Sequence, residues 1–132
     1  MRCHGALIVC CVFGLLAVFA PVAAYSAVLQ VGASTVSITP DKPVALCGQM
    51  STRIAREVQS ELLANALAME SRDGDTVLDQ AIFVACDIVY VPEHIRARAV
   101  ELLAPRVPGF DVNKLIISAT HTHTAPVMIE DI

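Results

Sequence analysis

Residues 81–119 read AIFVACDIVYVPEHIRARAVELLAPRVPGFDVNKLIISA, and their reading decides the fold. The stretch begins inside a longer β-branched run, residues 76–86 (TVLDQAIFVAC), which has the composition of a strand. Pro92 then opens a helix, because a missing N–H costs nothing in the first turn, and Glu93 suits the positive end of the dipole. Ile95, Ala99, Leu102 and Leu103 recur at helical spacing, and Pro105 and Pro108-Gly109 stop the run. Residues 114–119 (KLIISA) form a short apolar run bounded by turn residues, the signature of a buried strand. Strand, helix and strand in that order make a right-handed crossover between parallel neighbours the economical arrangement.

Working outward, residues 72–75 (RDGD) supply a Gly-centred turn, and residues 61–71 (ELLANALAMES) precede it. Their Ala and Leu content favours helix. A turn between two runs of similar length is nevertheless a hairpin signal, so both flanks are read as strands. Residues 28–38 (VLQVGASTVSI) form a further strand closed by Thr39-Pro40-Asp41, and residues 41–49 (DKPVALCGQ) should be loop. No internal repeat is present after the leader. The expected fold class is α/β, a mixed sheet with at least one strand-helix-strand crossover.

The front of the chain has a different character. Between Gly5 and Ala24 there is no charged residue, Arg2 precedes an apolar core, and Pro21 is followed by small residues. This is the order of a secretory signal peptide, expected over residues 1–24, with residues 25–132 as the domain. The rival is an uncleaved membrane anchor, since about 20 apolar residues can span a bilayer. No lipobox precedes Cys10 or Cys11. The expected location is secreted or periplasmic. Export removes Arg2, leaving 8 of the 9 basic residues against all 13 acidic ones, and no basic stripe remains to suggest nucleic-acid binding. Cys47 and Cys86 are the cysteines outside the leader. They could bridge, but Cys86 in an apolar run reads more simply as a small buried hydrophobe.

The chemistry sits just after the last strand, in Ser118-Ala119-Thr120-His121-Thr122-His123-Thr124-Ala125-Pro126. Along extended chain, residues two apart face the same side, so His121 and His123 should point into one site. Imidazole is the commonest metal-binding side chain near neutral pH, and hydrolytic zinc takes three protein ligands plus water. By itself His-x-His is a weak signal that is often structural.

The flanking residues sharpen it. The string SATHTHTAP resembles the SATHTHSAP or SGTHTHSGP segment of neutral, non-lysosomal ceramidases and their bacterial relatives. VGASTVSITP (31–40) is similar to that family's opening strand, Leu46-Cys47-Gly48 falls where members have a Gly-containing loop, and IFVACD (82–87) resembles another strand. The resemblance spans about a hundred residues, with only the THTH string specific. It implies the amino-terminal part of a mixed α/β catalytic domain that hydrolyses the amide of N-acylated sphingoid bases with Zn2+. It implies His121 as a zinc ligand and His123 as the catalytic neighbour that positions the amide or stabilises its oxyanion. It also implies a lipid or small-molecule amide substrate and contact with membrane surfaces through it. The family's second histidine, glutamate and tyrosine ligands have no matching position here, so the expectation is a truncated chain, inactive alone.

Other candidates read more plainly. Asp87 could orient an active-site group but suits a turn or cap, and Glu130 and Asp131 are unsupported as ligands. Arg53 and Arg56 could approach a polar substrate but read as solvated, and His94 reads as exposed. Thr120, Thr122 and Thr124 lack the base a nucleophile needs. The competing function is a non-catalytic exported domain in which the His pair is structural.

Overall fold

A computed structural model describes residues 27–128. The expected signal peptide, its anchor alternative, Glu130 and Asp131 lie outside the described residues. Among them no helix is long and apolar enough to cross a membrane.

Strand β1 (Val28–Ser37) is followed by two short strands, β2 (Val44–Ala45) and β3 (Ile54–Ala55), then by β4 (Leu63–Asp73) and β5 (Thr76–Cys86). Helix α1 (Glu93–Leu103), a 3-10 turn (Val112–Lys114) and β6 (Leu115–Ala119) complete the order. The main sheet runs β1-β4-β5-β6, and β2 and β3 form a two-stranded sheet. Strand β4 is antiparallel to β1 and β5, whereas β5 and β6 are parallel, with Ile82 opposite Leu115 and Cys86 opposite Ala119. The crossover through α1 is therefore present. The α/β expectation needs correcting to a mostly β fold, because one helix accompanies a hairpin, an edge strand and a second small sheet.

The Ala-rich β4 is a strand although its residues favour helix, because it is one of the sheet's two inner strands. Ladders on both sides, to β1 and to β5, outweigh a preference of a few tenths of a kcal/mol per residue. The β4–β5 hairpin closes through Gly74 at φ 55°, and a glycine at the first loop position is what a II′ turn requires. Helix α1 starts after Pro92, whose carbonyl accepts from Ile95 and Arg96, and stops at Ala104, next to Pro105. Residues 41–49 are not all loop: Leu46 N donates to Arg53 O beside the β2–β3 ladder.

Strand register separates the two faces of the main sheet. Ala66, Val84 and Ile117 share one face, and Leu67, Phe83 and Ile116 the other. On β6, Leu115 is 6% exposed and its neighbour Ile116 is 46% exposed. The first face is partly covered on the β5–β6 side, where Val107 and Phe110 line a cavity together with Ile82 and Ala68. The second face is bare among the described residues, and β1 is exposed along its whole length. Ile88, Leu115 and Ala125 are the buried hydrophobic residues among those described.

Candidate functional site

Strand β6 delivers its chain to the end of β5, and the two remain bonded past the ladder. Thr120 N donates to Cys86 O and His121 N to Ile88 O. His121 then leaves the extended conformation, with φ 63°, the one described non-glycine residue in the left-handed region. Thr122 leads into a turn at His123 and Thr124. Beyond it the chain is bonded to the β2 loop: Cys47 N donates to Ala125 O and Val127 N to Ala45 O, around a fully buried Ala125.

The two imidazoles meet, but not for the reason expected. Simple alternation along an extended strand is broken at His121. Each ring is instead turned by a backbone carbonyl. His121 Nδ1 lies 2.8 Å from Val89 O, and His123 Nδ1 lies 2.8 Å from Gly48 O. A carbonyl can only accept, so both Nδ1 atoms carry the proton, a tautomer assigned from the partners. Both Nε2 atoms then present lone pairs, and they converge to 3.3 Å. The rings stand edge to face, 78° apart, with centroids 4.9 Å apart.

Gly48 makes this possible in two ways. Its φ of 69° suits glycine, and a Cβ there would intrude on the His123 ring, 2.7 Å from Cε1. Gln49 adds a bond from Nε2 to His123 O at 2.6 Å and is itself met by an Arg53 guanidinium at 3.4 Å. None of Gly48, Gln49 or Val89 stood out as a site residue from the sequence. A glycine in a polar loop was the one available signal, and carbonyl partners leave no side-chain signature at all.

The remaining candidates are placed elsewhere. Asp87 accepts from Leu63 N at 2.9 Å through one oxygen and from Thr120 Oγ1 at 3.0 Å through the other. It joins three chain segments and has the cap role rather than a ligand's. The Thr122 and Thr124 hydroxyls bond each other at 2.8 Å, so no threonine is paired with an imidazole as a nucleophile would be. His94 is half-buried on α1, a correction to the exposed position expected of it. Arg53 and Arg56 are exposed, yet with Lys42, Glu57, Thr124 and Pro126 they help line a cavity of 510 Å³ beside the motif. Cys47 and Cys86 are both free. Burial pushes the Cys86 thiol up, and the Asp87 carboxylate pushes it the same way.

Both histidines are exposed, and among the described residues no group of three or more His, Cys, Asp or Glu side chains could hold a metal ion. What is present suits zinc in kind: two imidazoles, each with its far nitrogen tied to a carbonyl, the usual outer partner of a ligating histidine. Compared with known proteins, the chain matches no protein-family model and no curated protein. The ceramidase resemblance rests on the THTH string and the order of shorter strings around it.

Proposed function

We propose that this chain carries the amino-terminal part of the catalytic domain of a zinc-dependent amide hydrolase of neutral ceramidase type. The observation that carries this reading is the convergence of two bare Nε2 lone pairs on one point at the carboxyl end of a parallel strand pair. Such strand ends are where sheets with crossover helices build ligand sites. His121 holds the metal, and its bond to Val89 O fixes the ring and its tautomer. His123 stands beside it, and the cavity bordered by Arg53 and Arg56 offers room for the polar part of an amide substrate. When bound, zinc lowers the pKa of water to about 7 and polarises the scissile carbonyl. The two histidines fall short of the three protein ligands a hydrolytic zinc uses, so catalysis needs donors beyond the described residues. The protein is read as exported, meeting its lipid substrate at a membrane surface.

The test is hydrolysis of an N-acylated sphingoid base in detergent micelles. The 132-residue chain and a version extended by whatever reading frame follows codon 132 are compared, with and without a chelator. The expected result is turnover by the extended protein only, abolished by chelation and by His121→Ala. Equal activity of the short chain, or none in the extended one, overturns the reading. A second reading, an exported domain whose His pair is structural, draws on the fact that each ring staples a backbone carbonyl. It predicts that His121→Ala and His123→Ala lower the melting temperature and that zinc leaves it unmoved.

A further inference from the structure

Strand β1 is an edge of the main sheet, bonded along one side to β4 and, among the described residues, to no strand along the other. Its main-chain groups divide by parity. Ile38 N donates to Leu62 O in the register of the β1–β4 ladder, so the even-numbered residues are the ones turned to β4. The Thr35 hydroxyl reaches Asn65 Oδ1 at 2.7 Å, as side chains do at a pair that exchanges no main-chain bonds. Leu29, Val31, Ala33, Thr35 and Ser37 therefore aim both N–H and C=O away from the sheet. Open edges are normally guarded by brevity, a bulge, a proline or a charge. Strand β1 has none of these: it is ten residues long, keeps unbroken register with β4, and lies within an uncharged, proline-free run from Ala27 to Thr39.

The strand is complementary to itself. Antiparallel pairing about a two-fold axis at Ala33 sets Val31 opposite Thr35 and Leu29 opposite Ser37, so every outward N–H and C=O of β1 finds a partner. Val31 and Thr35 make a β-branched cross-strand pair, and Gly32, Ala33 and Ser34 leave the axis uncrowded. The contact also sets no like charges against each other, which matters for two copies that each carry a net charge of −4. We propose that the chain pairs with a second copy of itself through the open edge of β1, making one continuous sheet in the order β6-β5-β4-β1-β1-β4-β5-β6. Both bare apolar faces then lie on the same side of that sheet, because facing residues of paired strands share a face. A two-strand seam covers less than the about 800 Å² per partner of a standard complex, so the pairing is reversible. It uses no residue of the His121–His123 turn and stands or falls apart from the hydrolase reading.

Sedimentation velocity of the purified chain should show the 14.1 kDa monomer giving way to a dimer as concentration rises from about 1 to about 300 µM, the range for contacts of this size. Ala33→Pro removes an outward N–H and no bond to β4, so it should hold the chain monomeric throughout that range. Ala33→Cys should give a disulfide-linked dimer on mild oxidation, because facing residues at a bonded pair lie about 5.5 Å apart at Cα. Ser34→Cys should not, since its copy is displaced two residues along the partner strand. The unsubstituted chain, with Cys47 and Cys86 free, is the blank. Hydrogen exchange on that same chain guards against a variant that fails to fold. The amides of Val31, Ala33 and Thr35 should slow at least about tenfold between the two concentrations, while those of Gly32 and Ser34 hold steady. A monomer at every concentration, or unchanged exchange at the odd positions, overturns the proposal. So does association that survives Ala33→Pro, or that links Ser34→Cys in place of Ala33→Cys.

Discussion

At His121 the backbone enters the left-handed region, with φ 63°, where a side chain costs roughly 1–2 kcal/mol. Histidine is among the residues that tolerate it, and the bonds from His121 N to Ile88 O and between its ring and Val89 O hold it there. Gly48 has the same backbone sign without the cost, and its missing side chain is what His123 occupies. Gly48→Ala should therefore destabilise by more than the roughly 1 kcal/mol of a simple positive-φ penalty. Thermal melts of Gly48→Ala and of Gly74→Ala, whose Cβ would meet open space, separate the clash from the backbone effect. Equal losses would refute it. Cys86 offers a pH test. Its raised pKa leaves less thiolate at a given pH, so its alkylation should be slower than that of an ordinary thiol. Its rate should still be climbing more than about one unit above pH 8.5, where an ordinary thiol has levelled off. Residue-resolved mass spectrometry after iodoacetamide treatment reads both, and Cys86 labelling at the ordinary rate would contradict the burial.

At the scale of elements, β6 shows the alternation that the sheet imposes. Leu115 faces the covered side and Ile116 the bare one. Leu115→Ala should cost about 2–5 kcal/mol in chemical denaturation, the usual range for a buried leucine, and Ile116→Ala markedly less. A larger loss at Ile116 would mean that the crossover packs on the opposite face. The run KLIISA, the proline-bounded helix and the glycine hairpin were legible because each carries a local cause: apolar bounds, a fixed φ, or a required positive φ. The β2–β3 pairing was not legible, because Val44-Ala45 and Ile54-Ala55 are too short to show a period. Their partners are settled by the chain that passes beside them, where Leu46 bridges Pro126.

At the scale of the whole molecule, the bare face is the dominant feature. Leu29, Val31, Leu67, Phe83 and Ile116 are all exposed large hydrophobics, and they lie on one side of the sheet. Contiguous apolar surface of this kind marks an interaction site or an association hazard. The 132-residue chain on its own should bind a hydrophobic dye strongly and elute from a sizing column above its 14.1 kDa mass. A dye-silent monomer with a sharp melt would show that the face is covered by residues outside those described.

The sequence by itself determined the four strands of the main sheet, the helix, their order and the location of the two histidines. Each of these follows from composition, period or a breaker within a dozen residues. Only the tertiary structure decided how the imidazoles meet. The extended alternation that would have aligned them is broken at His121, and their convergence is the work of two carbonyls, Val89 O and Gly48 O, brought from distant loops. Main-chain oxygens are the same at every position, so no string of side chains could have announced which two would hold the rings.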